Sequence, residues 1–280
     1  MVIDGKKIAA EMREKLKEVV STFSKPLVLD IVVVGNAPVI ESFVRIKKRI
    51  GDELGIHVAE HRFPDSINGE TLLLAVSEIA QNSESSGLII QLPLPVGILV
   101  QPILDAVPPA KDVDMLSTES IAAFARGDAS ILPPVAGAIQ EILERTKVSV
   151  SGKEALVLGH GRLVGVPASI LLRHNSAHVT VIDKDIPDLK AHALESDIII
   201  SGVGKPGLIT PDMVTSRTVL IDAGTSEAGG RIVGDAHPLC QEVAGVSTPV
   251  PGGVGPIAVV MIFKNLCILA RERIGSTERG

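Results

Sequence analysis

The hydrophobic pattern alternates between short β-branched runs and amphipathic helical stripes along most of the chain. Residues 27–34 (LVLDIVVV) are almost continuously apolar, which is typical of a strand buried on both faces. Residues 154–159, 177–183, 196–202 and 218–224 predict further strands, with helical stripes between most of them. Regular alternation of this kind predicts an α/β protein whose parallel sheets are covered by helices. Two such units are expected, with the boundary near residues 117–135.

One predicted helix contains a residue that breaks its apolar stripe. In residues 39–56 (VIESFVRIKKRIGDELGI), Phe43, Ile50 and Leu54 recur on one helical face. Lys47 lies on the same face, four residues after Phe43. A dry, charged lysine is costly, so Lys47 is either a side chain that reaches out to water at the edge of the stripe or a functional amine.

Two further polar residues lie where apolar or turn residues are expected. Gln91 ends the run GLIIQLPLP, at the carboxyl end of a predicted strand, and Asp114 lies in AKDVDML. Ligands of open α/β sheets bind at the carboxyl ends of the strands. The alternatives are that Gln91 caps the strand end and that Asp114 is a turn residue.

Composition excludes several classes of function. The 280 residues are 45% hydrophobic with a net charge of -6, which is not the pattern of a nucleic-acid surface. The longest uncharged stretches, 85–104 and 243–263, contain several prolines, so neither is expected to span a membrane as one regular helix. Cys240 and Cys267 have no zinc or disulfide spacing. A soluble cytoplasmic protein without a metal is expected.

A glycine-rich turn follows the strand at residues 154–159. Gly159, Gly161 and Gly165 have the spacing G-x-G-x-x-x-G, one residue longer than the usual dinucleotide fingerprint. Glycines at these places permit a tight turn and close approach of a pyrophosphate to a helix N-terminus. The alternative is that the glycines only permit the turn.

The neighbouring charges leave the choice of dinucleotide open. Asp183 ends the next strand, where an acidic residue can hold a ribose 2′-hydroxyl as in NAD enzymes. Arg162 and Lys184 would instead suit the 2′-phosphate of NADP. Without the glycine turn, Asp183 and Lys184 would be an ordinary solvated pair.

Residues 247–263 (STPVPGGVGPIAVVMIF) are the densest proline and glycine segment, and they lead into a helix that is predicted to begin near Pro256. A loop pre-set by prolines, with glycines for close backbone access, fits the wall of a ligand site. The alternative is a hinge between domains.

Together these motifs resemble those of bifunctional methylenetetrahydrofolate dehydrogenase/methenyltetrahydrofolate cyclohydrolases. The segments VIDGKKIA, GLIIQLPLP, KDVD, GRLVGVP, VLIDAG and TPVPGGVGP are in the family's order and spacing over almost the whole chain. QLPLP and TPVPGGVGP together are highly specific.

The resemblance implies an α/β protein of two domains. Residues 1–117, completed by a C-terminal helix at 256–280 that returns to them, would form the folate (catalytic) domain. Residues 118–255 would form a Rossmann-like parallel-sheet domain for the dinucleotide. The implied reactions are NADP-dependent oxidation of 5,10-methylenetetrahydrofolate and hydrolysis of the methenyl product to 10-formyltetrahydrofolate. Both reactions would share one site, and the protein would be a homodimer. NADP is favoured over NAD.

The resemblance also assigns site residues. Lys47 corresponds to the family's catalytic lysine, Gln91 to its partner glutamine and Asp114 to its pterin-binding aspartate, while Phe43 would stack on the folate. The expected substrate loop comprises Pro251, Gly252, Gly253, Val254, Gly255 and Pro256. The expected cofactor residues are Gly159, His160, Gly161, Arg162, Val164, Gly165, Asp183, Lys184, Gly202, Gly204 and Thr225.

Several residues depart from the family's pattern. Phe43 replaces a tyrosine that helps to order the lysine, and the chain contains no tyrosine at all. Met115 replaces a glycine after DVD. The sequences GHG (159–161) and IDKD (182–185) replace family residues at the 2′-phosphate site, so Arg162 and Lys184 would have to hold that phosphate.

These departures keep other functions open. One is a dehydrogenase with weak or absent cyclohydrolase activity, and another is a two-domain dehydrogenase of a small carboxylic acid. A nucleotide-sensing binding protein on the same fold would bind cofactor without turnover. A sensor has no need for Lys47, Gln91 and Asp114 together.

Overall fold

The structure, a computed structural model, describes residues 1–183, 188–229 and 231–277. Its elements in chain order are α1 (Gly5–Val20), β1 (Val28–Val34), α2 (Pro38–Leu54), β2 (His57–Phe63), α3 (Gly69–Gln81), β3 (Gly87–Ile90), α4 (Val100–Asp105), α5 (Thr118–Arg126), α6 (Pro134–Arg145), β4 (Glu154–Leu158), α7 (Gly165–His174), β5 (His178–Ile182), α8 (Leu189–Glu195), β6 (Ile198–Ser201), a 3₁₀ turn (Pro211–Met213), β7 (Val219–Asp222), β8 (Ser226–Ala228), β9 (Arg231–Val233), α9 (Cys240–Val243), β10 (Val246–Ser247) and α10 (Val254–Thr277).

The chain forms two compact units, each with its own parallel sheet. The three-stranded unit comprises residues 11–133 and 262–280, and the five-stranded unit comprises residues 1–10 and 134–261. A small antiparallel pair, β8–β9, adds to the second unit. The prediction of two α/β units with parallel sheets is therefore confirmed, as is the return of the C-terminal helix to the first unit.

The three-stranded sheet has the order β2-β1-β3. β1 is central, which explains its continuous apolar sequence, since both of its faces are covered. Val32 is in register with Ile90 of β3, so the carboxyl ends of β1 and β3 lie side by side. Val32 and Ile90 pack with Leu72 and Val76 of α3 and Leu104 of α4 in one apolar cluster.

The five-stranded sheet has the order β10-β7-β6-β4-β5. β4 is therefore flanked by β5 on one side and β6 on the other, and the chain changes direction across the sheet at this point. In doubly wound folds, ligands bind outside the carboxyl ends of the strands at such a switch point. The turns after β4 and β6 are therefore the expected place for a nucleotide.

Two features differ from the expectation at the domain level. Residues 1–10 belong to the five-stranded unit, because Val2 bridges Ser247 of β10. α5 belongs to the three-stranded unit, although the predicted second domain, residues 118–255, contained all of it. The division into a folate domain and a dinucleotide domain at residue 117 stays a prediction.

The C-terminal helix is long and apolar enough to pass a length-and-composition test for a membrane span over Val254–Gly275. Most of that stretch is buried inside the protein, as in the core helix of a soluble protein. Phe263 and Leu266, for example, are completely buried. The apolar sequence of α10 is thus explained by the core that it completes.

Candidate active site

Lys47 lies on the buried face of α2. The helix begins with Pro38 in its first turn and ends at Gly55, which adopts the left-handed conformation. Ile50 and Leu54 are each 3% exposed, and Lys47 is only 7% exposed. The amine therefore does not reach out to water, and the first alternative for this residue is wrong.

Gln91 accepts a hydrogen bond from the Lys47 amine. It directly follows β3, and its backbone N–H donates to Val32 O at the end of β1 (2.9 Å). Lys47 Nζ donates to Gln91 Oε1 (2.8 Å), while Gln91 Nε2 donates to Leu92 O (2.8 Å). Because the amide nitrogen is used by the backbone, the amide oxygen is held toward the lysine.

Asp114 is the acidic residue that interacts electrostatically with Lys47. Burial lowers the pKa of Lys47 below its ordinary value, and the charge of Asp114 partly opposes that shift. Burial raises the pKa of Asp114 to about 6; Lys47 acts against this increase and Asp112 adds to it. Burial therefore shifts the pKa of each group away from its ordinary value, in the direction of the neutral form, and strongly perturbed pKa values of this kind cluster at functional sites.

Phe43 presents its ring to the same place. Lys47 Nζ lies 6.0 Å from the centroid of the Phe43 ring, one helical turn away on α2. The Phe43 side chain is 36% exposed, unlike the other apolar residues of its stripe. An exposed aromatic ring beside a buried amine suits a flat ligand that stacks on the ring.

Two residues that the sequence did not assign hold the turn containing Asp114. The carboxylate of Asp112, which is 3% exposed, accepts hydrogen bonds from the N–H groups of Leu116 (3.2 Å) and Ser117 (2.9 Å). Asn265 of α10 donates from Nδ2 to Val113 O (2.9 Å). The sequence singled out Asp114 in the KDVD motif but gave no role to Asp112, whose carboxylate holds the turn.

The residue after Asp114 has a strained backbone. Met115 has φ of 54°, in the left-handed region, and its side chain is only 3% exposed. Glycine adopts this conformation without strain. The structure thus gives a physical reason for a glycine in related sequences and shows what Met115 provides instead, a buried apolar side chain.

The glycine turn lies at the switch point of the five-stranded sheet. Gly159 has φ of 92° and donates its N–H to Ile182 O at the end of β5 (2.7 Å). A Cβ on Gly165 would lie 2.0 Å from Gly159 O, and one on Gly202 would lie 2.4 Å from Val164. The glycines are therefore required for close packing of the turn against β6, as the dinucleotide fold demands.

The turn also leaves a donor site open. α7 begins at Gly165, and the side chain of its N-cap residue, Val164, makes no capping hydrogen bond. Gly161 has open space around it, and His160 and Arg162 are exposed. The first backbone N–H groups of a helix have no partner within the helix, and together with an exposed arginine they fit a phosphate group. The residues present therefore fit a dinucleotide.

The remaining predicted cofactor residues follow neighbouring strands. Asp183 is exposed and directly follows β5, beside the glycine turn, while Lys184 lies outside the described residues. Gly204 has φ of 75°, and a Cβ there would come within 3.9 Å of Thr225 O. The fully buried Asp235 fixes the loop that follows β6, because its carboxylate accepts hydrogen bonds from the N–H groups of Val203 (2.8 Å) and Lys205 (2.7 Å).

The proline- and glycine-rich loop belongs to the five-stranded unit. Thr248 anchors its start, because its hydroxyl accepts the N–H of Asp222 (2.8 Å). Gly253 closes a turn by donating to Pro249 O (2.8 Å), and Gly252 has φ of 112°. The helix α10 begins at Val254, so Val254, Gly255 and Pro256 form its first turn. Among the described residues, no group of three or more His, Cys, Asp or Glu side chains could hold a metal ion.

Comparison with known proteins identifies both halves of the chain. Residues 3–114 match the family model of the tetrahydrofolate dehydrogenase/cyclohydrolase catalytic domain. Residues 133–274 match the NAD(P)-binding domain of the same family.

Known proteins match this chain over nearly its whole length. The chain is 37% identical over 276 residues to the bifunctional protein FolD of Moorella thermoacetica, covering 97% of this chain and 99% of the relative. A crystal structure of the bifunctional FolD from Campylobacter jejuni matches with a TM-score of 0.93 and 28% identity, covering 98% and 99% of the two chains. The Trypanosoma brucei enzyme, solved with NADP and an inhibitor, matches with a TM-score of 0.91 and 29% identity, covering 98% of each chain.

Proposed function

Because the chain belongs to the tetrahydrofolate dehydrogenase/cyclohydrolase family, we propose that it oxidises 5,10-methylenetetrahydrofolate with NADP and then hydrolyses the methenyl product. The product is 10-formyltetrahydrofolate, so the enzyme acts in one-carbon folate metabolism. The observation that supports the hydrolytic step is the buried hydrogen bond from Lys47 to Gln91, beside Asp114.

The lysine acts on the second step. Neutral Lys47 accepts a proton from a water as that water adds to the cationic methenyl carbon. The lysine then gives this proton to the folate nitrogen whose bond to that carbon breaks, and the hydroxyl proton is released to solvent as the formyl carbonyl forms. Desolvation lowers the pKa of Lys47 and so increases the fraction of neutral amine. The positive charge of the methenyl substrate acts in the same direction. Gln91 holds the amine in place.

Asp114 and Phe43 bind the pterin. The Asp114 carboxylate accepts hydrogen bonds from the pterin amino group and ring nitrogen, and ionisation above its pKa of about 6 makes it a pure acceptor. The exposed ring of Phe43 stacks on the folate. The loop from Pro251 to Pro256 is the further substrate-binding segment that the family resemblance implies.

NADP supplies the hydride acceptor when it is bound, and the protein contributes position rather than proton transfer. The glycine turn and the N-terminus of α7 would hold the pyrophosphate, and Arg162 would hold the 2′-phosphate, with Lys184 as the second cation that the sequence offers. His160, Val164, Gly202, Gly204 and Thr225 line the remainder of the dinucleotide site. The exposed Asp183 beside the turn would favour NAD, so cofactor choice is the first thing to measure.

The test is a set of initial rates with methylenetetrahydrofolate and either NADP or NAD, while the absorbance of the methenyl product is followed. We expect faster reduction of NADP and no accumulation of the methenyl compound. Absence of reduction with either cofactor would contradict the proposal.

A second candidate is a dehydrogenase with weak cyclohydrolase activity. Phe43 favours it, because the ring can stack on the folate but has no hydroxyl to order Lys47. In that case the methenyl compound accumulates in the same assay while the cofactor is reduced.

Location and assembly complete the proposal. The chain is cytoplasmic and forms a homodimer through the nucleotide unit, as the family resemblance implies. β5 is an edge strand of the five-stranded sheet, and an edge leaves backbone groups available for pairing with another chain.

A further inference from the structure

The opening segment VIDGKKIA has no role in the chemistry described above, yet it lies against the loop that is proposed to bind substrate. Ile3 N–H donates to Ser247 O (2.8 Å), and Ser247 N–H donates to Met1 O (2.9 Å). The first three residues therefore extend the five-stranded sheet beside β10. β10 leads directly into the proline- and glycine-rich loop.

The next residues turn the chain into α1. The Asp4 side chain accepts the N–H of Lys7 (2.9 Å), which is the bond of an N-cap residue, and Gly5 is the first residue of the helix. Ile8 and Ala9 then enter the core. The position of Gly5 is thus fixed from both sides, by the strand pairing before it and by the capped helix after it.

Gly5 packs so closely against the proline- and glycine-rich loop that there is no space for a side chain at position 5. A Cβ on Gly5 would lie 1.9 Å from Gly253 O and 2.7 Å from Gly252 O. Both contacts are to backbone atoms, which cannot rotate away as a side chain can. Gly5 has no positive φ, so its backbone conformation does not require glycine; the close contact does.

The other side of the loop is equally constrained. A Cβ on Gly253 would lie 2.7 Å from both Pro249 O and the Thr248 Cβ. Thr248 is anchored to β7 through the N–H of Asp222. The carbonyls of Gly252 and Gly253 therefore lie between a fixed strand end and the fixed start of α1, and neither side can yield.

We propose that Gly5 is a positioning residue for folate binding: the missing side chain lets the start of α1 hold the carbonyls of Gly252 and Gly253 in the conformation that receives substrate. This inference rests on the proposed function of the loop. A methyl group at position 5 must displace one or both carbonyls, and small displacements of a binding wall have large kinetic effects.

The chain offers a matched control. Gly69 is also the first residue of a helix, follows a polar N-cap residue (Asn68) and has no positive φ, but the nearest atom to a Cβ there is Ile98 Cγ2 at 3.8 Å. Gly69→Ala thus makes the same chemical change at the same helical position without the steric conflict.

The experiment measures KM for methylenetetrahydrofolate and for NADP in full-length wild-type protein, Gly5→Ala and Gly69→Ala. For Gly5→Ala we expect the folate KM to rise about tenfold or more, with the NADP KM within about twofold of wild type. Gly69→Ala should leave both values unchanged. Asp4→Ala removes the cap of α1 but keeps the Gly5 contact and the strand pairing of Ile3, so it should lower the unfolding midpoint and raise the folate KM by no more than about twofold.

If Gly5→Ala does not fold, Ile3→Pro replaces it. This variant removes the hydrogen bond to Ser247 O, loosens the opening segment and should raise the same folate KM by about threefold. The inference is overturned if Gly5→Ala loses stability, as Asp4→Ala does, but keeps the wild-type folate KM. It is also overturned if Gly5→Ala raises only the NADP KM. Wild-type protein without turnover contradicts the proposed function instead, so the two failures are distinct.

Discussion

Lys47 and Gln91, 44 residues apart in the chain, form a buried hydrogen bond of 2.8 Å between the lysine amine and the amide oxygen. The orientation of the amide is set by its second bond, from Nε2 to Leu92 O. The pair therefore joins α2 to the end of β3 and gives the amine one defined direction. Four of the following predictions test the amine and the residues around it, and the fifth tests the backbone that supports them.

Lys47→Met should abolish hydrolysis of the methenyl compound, with a loss of about 100-fold or more, because the general base is removed. Part of the dehydrogenase activity should remain, since hydride transfer requires mainly positioning. The measurement is the rate of disappearance of methenyltetrahydrofolate. Lys48→Met is the control, because Lys48 is half exposed and pairs with Glu60 at the surface. Hydrolysis at the wild-type rate in Lys47→Met would show that the lysine assignment is wrong.

The sequence predicted this trio because each residue breaks a local pattern. Lys47 interrupts an apolar stripe, Gln91 ends an apolar strand, and Asp114 lies in AKDVDML, just before the predicted end of the first domain. Such conflicts are expected at functional sites. What the sequence could not provide is their mutual geometry, because the hydrogen bond depends on the pairing of β1 with β3.

Other features were missed because tertiary contacts determine them. β2 (HVAEHRF) was not predicted, since its sequence is polar and it is stabilised as an edge strand by parallel pairing with β1. Asn265 supports the Asp114 turn from 152 residues away. The membership of residues 1–10 in the five-stranded unit likewise depends on tertiary pairing, in which Met1 and Ile3 form backbone hydrogen bonds with Ser247.

Gln91→Glu should move the pH dependence of hydrolysis upward. A carboxylate beside the amine stabilises its charged form and raises the pKa of Lys47, whereas the reaction requires the neutral form. The acid limb of the pH–rate profile should therefore shift to higher pH than in the wild type. Gln101→Glu, a partly exposed site on α4, provides the control. An unshifted limb would mean that Lys47 is not the group that titrates.

Asp114→Asn should increase stability at pH 8 but not at pH 4. The folded protein raises the pKa of Asp114 to about 6 from the ordinary value of 3.8. The raised pKa favours the folded state fully below pH 4, and this contribution is lost as pH rises through 6. Asparagine does not ionise, so the variant avoids that loss. Its free energy of unfolding should therefore exceed that of the wild type by at most about 3 kcal/mol at pH 8.

Urea denaturation at the two pH values measures this difference, with Asp52→Asn on the exposed surface as control. A difference between Asp114→Asn and wild type that is the same at pH 4 and pH 8 would contradict the linkage. The variant should also bind folate more weakly, because it has lost the carboxylate that accepts from the pterin.

Phe43→Tyr should raise the ratio of cyclohydrolase to dehydrogenase activity by about two- to tenfold. The added hydroxyl lies near an amine that is now 6.0 Å from the ring centroid, and one hydrogen bond that orders this amine is worth about that factor. Both rates are measured on one preparation, with Phe23→Tyr in the same unit as control. An unchanged ratio would mean that Gln91 alone orders the lysine.

At position 115, glycine should destabilise the protein less than alanine does, which is the reverse of the usual order. Both Met115→Ala and Met115→Gly remove a side chain that is 3% exposed, and each should destabilise the protein by about 2–4 kcal/mol. Alanine ordinarily costs less than glycine because it restricts the unfolded chain. At φ of 54°, however, the alanine Cβ is strained and glycine is not, so Met115→Gly should be the more stable of the two by about 1 kcal/mol. Denaturation midpoints of the two variants, compared with the same pair at the buried, right-handed helical residue Leu72, decide the question. If alanine is the better residue at both positions, the left-handed backbone at Met115 contributes no measurable strain.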